Sequence, residues 1–230
     1  MLNQLKKDLE KLRNPKKAKI LQRFFKTGKG EYGEGDIFLG IVVPTQRLVA
    51  KKYTELTLKD LQKLLSEKVH EYRLIALIIL IQKYKKASIK AKKEIVAFYL
   101  KNTKKINNWD LVDISCRDIL GNFLLDKHRA ILYKLAKSKN IWKRRIAIIS
   151  TFEFIKHGQL EDTLRISEML LKDSHDLIHK AVGWMLRELG KKNRSLEEEF
   201  LEKHYIDMPR TMLRYAIEKF EEKKRKHYLQ

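Results

Sequence analysis

RLIALIIL, spanning Arg73 to Leu80, is the first of four segments of one kind; the others are WDLVDISC (Trp109–Cys116), RRIAIIST (Arg144–Thr151) and KAVGWMLR (Lys180–Arg187). Aligned on Arg73, Trp109, Arg145 and Lys180, they lie 36, 36 and 35 residues apart, and each anchor leads into an apolar helical stretch. A period of this length marks stacked helix pairs. It predicts an all-α chain built as a solenoid. Asp113 and Trp184 each follow an anchor by four residues, which puts them on the same helix face as that anchor. One surface of the stack is therefore expected to carry Trp109, Asp113, Arg145 and Trp184 together.

The composition names the class of partner. The chain has 230 residues, with 51 Lys and Arg against 29 Asp and Glu, a formal charge of +22. Self-repulsion of this size opposes compaction and is relieved by a polyanion. Nucleic acid is the first candidate and an anionic membrane surface the second; general solubility is the bland alternative. A hydrophobic share of 43% supports an extended core and excludes a disordered chain, and the length suits one elongated domain or two small ones. The opening MLNQLKKDLEKLRN interleaves charge with leucine and lacks the apolar centre of a signal peptide. Leu74 to Ile81 is eight apolar residues, short of the roughly 20 that span a bilayer. The single Cys116 forms no internal disulfide, as expected in a reducing cytoplasm.

Helix signals recur along the whole length, whereas strand-type alternation does not. Asn14 with Pro15 reads as a cap and first helical residue, and Thr57 with Asp60 as another start; Ser88, Asn108 and Asn140 are further caps. Ser195 and Glu198 have capping-box spacing, and Asp207 and Pro209 are expected to start a last helix with Leu213, Ala216, Ile217 and Phe220 inward. Gly190 is expected to end the Trp184 helix. Thr27 to Asp36 holds four of the nine glycines and must be a loop; Ile37 to Val43 reads as helix or extended connector, ended by Pro44. The closing KKRKH resembles a nucleic-acid patch, but reads better as a frayed basic helix end.

Gly28-x-Gly30-x-x-Gly33 matches the dinucleotide fingerprint in letters only, because that motif needs a preceding strand and a βαβ unit. No phosphate-binding GxxxxGK[ST] occurs. His175 and His179 have the one-turn spacing of metal ligands, but no third ligand can be nominated. His70 and Glu71 begin an HExxH pattern that Leu74 breaks. No metal or cofactor is expected. Trp109 with Asp113 is more suggestive, although a Trp on a helix face is ordinarily core and an Asp in a first turn serves the helix dipole. Ile106, Val112, Cys116, Ile119 and Phe123 already supply an apolar face. Ile178, Ala181, Met185 and Leu189 do the same beside Trp184. Both tryptophans are then surplus to the core, and aromatic faces flanking a carboxylate among Arg144, Arg145, Lys180 and Arg187 suit a cationic group carried on a phosphate backbone.

FFKTGKGEYGEGDIFLGIVVPTQR (Phe24–Arg47), NNWDLVD (Asn107–Asp113), WKRRIAI (Trp142–Ile148) and AVGWMLRE (Ala181–Glu188) together resemble the AlkD family of HEAT-like-repeat DNA glycosylases, over nearly the whole chain. The resemblance implies one domain over 1–230, a right-handed solenoid of HEAT-like helical repeats with a concave basic surface. It implies a monofunctional glycosylase that removes N3- and N7-alkylated purines (3-methyladenine, 7-methylguanine) from double-stranded DNA without enclosing a flipped base. Trp109 and Asp113 match the family's catalytic Trp and Asp, Arg145 its arginine, and Trp184 its second aromatic wall. Arg47, Arg144, Lys180, Arg187 and Arg214 are the expected phosphate contacts. The alkylated base already carries positive charge and leaves as a neutral molecule, so one carboxylate, Asp113, suffices to stabilise the oxocarbenium-like sugar and position water. A cytoplasmic monomer is expected. The rivals are a catalytically silent binder of nucleic-acid structure and a protein-interaction scaffold.

Overall fold

A computed structural model describes all residues, 1–230. The chain is all-α, with 14 α-helices and no strands; the one bridge of β type joins Ile37 to Val69. It divides into two compact units, Met1–Ser115 and Cys116–Gln230.

The first unit holds α1 (Leu2–Lys11), α2 (Pro15–Phe24), α3 (Val43–Lys51), α4 (Leu58–Leu65), α5 (His70–Lys86), α6 (Ile89–Lys101) and α7 (Trp109–Cys116), whose last residue opens the second unit. Its centre is α5, buried without interruption from His70 to Ile81. A helix apolar all round needs neighbours on all sides. α3, α4 and α6 all pack against it, and α1 packs on α3. Local chemistry sets the starts. Asn14 accepts from the Lys17 N–H, Thr57 and Asp60 form a reciprocal capping box, and Ser88 accepts from Ala91. Residues 37 to 42 are an extended connector, and Pro44 lies in the first turn of α3, where its missing N–H costs nothing.

In the second unit, Cys116 is followed by a π-helical turn, Arg117–Gly121, and then by α8 (Ala130–Ala136), α9 (Ile141–Lys156), α10 (Glu161–Met169), α11 (Asp176–Gly190), α12 (Arg194–His204), α13 (Arg210–Ala216) and α14 (Glu222–Leu229). α9 packs against α8, α10 and α11, while α11 packs against α9, α10, α12 and α13. That is the neighbour-to-neighbour packing the sequence period predicts, within this unit. Arg145 and Lys180 are each the fifth residue of their helix, α9 and α11. Trp109 is instead the first residue of α7.

Two readings near the C-terminus change. Asn193, not Ser195, caps α12: it is extended (φ −147°) and accepts from the Leu196 N–H at 3.1 Å, which leaves Ser195 inside the helix. Leu213, Ala216, Ile217 and Phe220 are all buried as expected, but the helix after Pro209 ends at Ala216 and is not the last. A 3-10 turn (Ile217–Lys219) leads into α14, and its buried Tyr228 anchors the basic KKRKH stretch.

Gly183 sets the approach of α11 to α13. A Cβ there would lie 2.3 Å from the Met212 carbonyl oxygen and 2.6 Å from the Tyr215 Cβ. Gly183→Ala must push the two helices apart, and overpacking of this kind costs about 1–3 kcal/mol; a lower midpoint in urea unfolding checks it.

Candidate functional site

In the first unit, the glycine-rich loop, the head of α5 and the head of α7 meet. The loop closes on itself. Glu31 accepts from the Gly28 N–H at 2.8 Å and Glu34 from the Gly30 N–H at 2.9 Å, so its own carboxylates occupy the donors that a dinucleotide motif would offer to phosphate. It follows helix α2 rather than a strand, which removes the remaining basis for that motif. The connector after it is clamped by Glu71. The buried Glu71 carboxylate accepts the N–H groups of Leu39, Gly40 and Ile41 at 3.0, 2.8 and 3.2 Å. Gly40 is required by that path: its φ is +85°, and a Cβ would lie 2.2 Å from the Asn14 carbonyl oxygen.

Beside the clamp is a buried ion cluster. His70 Nε2 lies 2.7 Å from Asp110 and Nδ1 lies 3.3 Å from Asp36, while Arg73 pairs with Asp36 at 2.5 Å and donates to Asn107. Burial by itself would lower the His70 pKa, but the Asp110 and Asp36 carboxylates outweigh it and raise it to about 9. Burial alone would raise Asp36, yet His70 and Arg73 hold it below the usual carboxylate range. His70 is therefore an imidazolium at neutral pH. The cluster joins the end of the loop (Asp36), α5 (His70, Arg73) and α7 (Asp110).

Trp109 stands on this base. Its ring stacks on Phe25 (centroids 5.1 Å apart, 18° between planes), Phe25 stacks on Phe38 at 5.1 Å, and Phe38 stacks on His70 at 4.5 Å. Phe24 meets Trp109 edge-on at 5.9 Å, and the Trp109 indole N–H donates to the Tyr32 hydroxyl at 3.3 Å. So Trp109 is not simply surplus to the core: one face is packed and its N–H is satisfied, while the residue as a whole stays half-buried. Asp113, one turn further along α7, is also half-buried. Val112 and Cys116 on the same helix, with Ile106 and Ile119, are fully buried.

In the second unit, Trp184 is half-buried on α11, above the fully buried Ile178, Ala181, Met185 and Leu189. Its N–H donates to Glu188 at 3.2 Å and its ring lies 6.0 Å from Phe152, over which the Arg117 guanidinium sits at 5.2 Å. The third tryptophan, Trp142, is buried.

The basic candidates divide. Arg145 is 5% exposed and donates to the Leu177 carbonyl at the head of α11. Arg144 binds Asp173 at 2.5 Å and the carbonyls of Ser138 and Lys139 at 3.0 Å, so it ties α9 to the connector before α11. Lys180 pairs with Asp176 at 2.6 Å, and Arg187 pairs with Glu218. Arg47 and Arg214 are exposed, on α3 and α13. His175 is the cap of α11 and accepts from the Leu177 N–H, while His179 contacts the Asp173 carbonyl; that geometry explains both histidines without a metal. The sequence reading missed His70, Asp110, Asp36, Arg73, Glu71 and Tyr32 as members of one assembly. The available signal was a His-Glu pair at a helix head combined with Asp36 ending the glycine loop and Asp110 inside NNWDLVD.

A family model described as DNA alkylation repair enzyme matches residues 5–220, and the chain belongs to that family. Its role lies in DNA alkylation repair. Among solved structures it is similar to a predicted DNA alkylation repair enzyme from Enterococcus faecalis, with a TM-score of 0.70 and 18% identity over 91% of this chain and 97% of that one. It is also similar to smu.31 from Streptococcus mutans UA159, with a TM-score of 0.55 and 19% identity over 76% and 89% of the two chains. These likenesses show a shared fold. No curated protein matches.

The His70 shift makes stability depend on pH. Its folded pKa lies above the unfolded value of 6.5, so its contribution is complete below about 6.5 and is lost as pH rises through about 9. Stability from urea unfolding is expected to fall by on the order of 3 kcal/mol across that window. His70→Gln is expected to be less stable at pH 6 and to show a flatter profile.

Proposed function

We propose that the chain is a monofunctional DNA glycosylase that hydrolyses the N-glycosyl bond of N3- and N7-alkylated purines in duplex DNA. The observation that carries this reading is the rigid seat of Trp109: a half-exposed indole stacked on Phe25 and bonded to Tyr32, with the Asp113 carboxylate one turn along the same helix. Family membership and the +22 charge support it.

An alkylated purine is a cation, and an aromatic face attracts it while rejecting nothing of its bulk. Departure of the neutral base leaves positive charge on the deoxyribose. Asp113 opposes that charge and orients the water that attacks the sugar carbon; the water's proton passes to solvent or to the carboxylate. No general acid is required, because the leaving group gains its electron pair as the ring loses its charge. Trp184 offers a second half-exposed indole, and Arg145 fixes the head of the helix that bears it by holding the Leu177 carbonyl. Exposed Arg47 and Arg214 serve phosphate contacts, which give affinity without base readout. Arg144, Lys180 and Arg187 are engaged by Asp173, Asp176 and Glu218, so their phosphate contacts would have to compete with these pairs.

Asp113→Asn is expected to keep duplex affinity within a few fold and to lose at least about a hundredfold in single-turnover excision, because charge is needed in the transition state more than in the bound state. Excision at the wild-type rate would remove Asp113 from the chemistry. Duplex binding by the wild type with no released base would favour a silent nucleic-acid binder.

A further inference from the structure

The second unit carries a pair of cations that the chemistry above does not use. The chain is helical without a break from Trp109 to Phe123, so Arg117 follows Asp113 by one helical turn. At Arg117 the winding changes: Arg117–Gly121 is the π-helical turn, closed by the Asn122 N–H donating to the Arg117 carbonyl. Single turns of this kind inside α-helices recur at functional sites. Here the turn is pressed onto α9, where a Cβ on Gly121 would lie 2.4 Å from the Ser150 carbonyl oxygen. Two residues further along α9 stands Phe152, and the Arg117 guanidinium lies over its ring, 5.2 Å from the centroid. Lys156, one turn on, brings its ammonium to 5.2 Å from the same centroid, and the Trp184 ring lies 6.0 Å away.

Arg117 differs from its neighbours in what its donors do. Arg144 and Arg187 spend their guanidinium groups on Asp173 and Glu218, and Arg145 donates to the Leu177 carbonyl. The ion pair of Arg117 runs from Nε to Asp118 at 3.5 Å, and neither of its two terminal nitrogens has an acceptor within hydrogen-bonding distance. The side chain is 33% exposed yet already seated on an aromatic ring, so little freedom is lost when its open donors meet a ligand. Lys156 pairs with Glu153 at 2.9 Å, but its side chain is 51% exposed against 13% for Glu153, which leaves the ammonium open to solvent. Two cations gathered at one ring favour an anion that both can reach. The guanidinium fork matches the paired oxygens of a phosphodiester, and the ammonium adds a point charge.

We infer that Arg117, with Lys156 beside it, is a clamp for one backbone phosphodiester of the duplex, next to the Trp184 indole; the inference rests on the duplex binding contained in the reading above. Arg117 supplies the hydrogen bonds and Lys156 the supporting charge. Phe152 is the platform that holds the guanidinium in place before DNA arrives.

The salt dependence of duplex affinity tests it, measured on the full chain as wild type, Arg117→Met, Arg117→Lys and Lys156→Gln. Methionine keeps an apolar stem over Phe152 and removes the charge and the donors. Arg117→Met is expected to weaken binding of methylated and unmethylated duplex alike by about tenfold, and to make the slope of log affinity against log salt shallower by about 0.9, the signature of one lost phosphate contact. Arg117→Lys keeps the wild-type slope, and Lys156→Gln shifts it in the same direction as Arg117→Met but less. Thermal melts establish that the variants are folded. Duplexes with one uncharged methylphosphonate linkage, moved step by step around the lesion, locate the contact: at one linkage the wild type weakens and Arg117→Met weakens no further. An unchanged slope in Arg117→Met, equal weakening of wild type and Arg117→Met at every linkage, or no duplex binding by the wild type would each overturn the clamp. Excision measured on the same preparations separates the two claims. Base release together with an unchanged slope in Arg117→Met defeats the clamp alone, whereas clamp-dependent binding with no base released defeats the glycosylase reading and leaves the clamp standing.

Discussion

The imidazolium of His70, held between Asp36 and Asp110, is the constraint on which the candidate centre depends. Four charged groups, Asp36, His70, Arg73 and Asp110, come from three separated stretches of the first unit and compensate one another out of water. Buried ions rarely gain stability over a well-packed apolar alternative, but removing one partner leaves an uncompensated charge at a cost of several kcal/mol. The arrangement therefore fixes geometry more than it adds stability. It sets where α7 begins relative to α5 and the loop, and hence where Trp109 and Asp113 stand. The Phe25 and Phe38 rings carry that registration from His70 to the Trp109 ring. Glu71 does the parallel service for the backbone, gathering three N–H groups of the connector that would otherwise be buried without partners.

Chemistry that acts within a few residues was legible in the sequence. Asn14, Thr57, Ser88 and Asn140 cap helices as read, because a side-chain oxygen reaching a nearby N–H needs only short-range geometry. Where two cap-forming residues compete in one turn, as Asn193 and Ser195 do, the extended backbone at Asn193 decides, and sequence does not reveal it. The helical period was legible too, since Arg145 and Lys180 occupy equivalent positions in α9 and α11. The ion cluster was not. His70 meets Asp36 and Asp110 across 34 and 40 residues, and each alone reads as a loop acid, a helix-head histidine or a dipole-compensating aspartate. Trp109 and Trp184 were singled out through the residues about them, but Tyr32 and Phe25 as the seat of Trp109 required the folded loop.

Charge is spread with more selectivity than the total of +22 implies. Much of it near α9 and α11 is neutralised locally, by Asp173, Asp176 and Glu218, while Arg47 and Arg214 remain exposed. Around His70 the pattern reverses, with three carboxylates and a histidine but only one arginine. A polyanion is attracted by the excess as a whole.

In the proposed reaction the lesion's own positive charge drives departure of the base, and Asp113 answers the charge left on the sugar. The most direct measurement compares release of free base by the wild-type protein from duplexes carrying a single 7-methylguanine or its neutral isostere, 7-deaza-7-methylguanine. Release of the cationic base alone is expected, with both duplexes bound to a similar degree. Equal release from both would rule this reaction out, because the neutral ring can leave only with the help of a general acid, which the proposed reaction lacks.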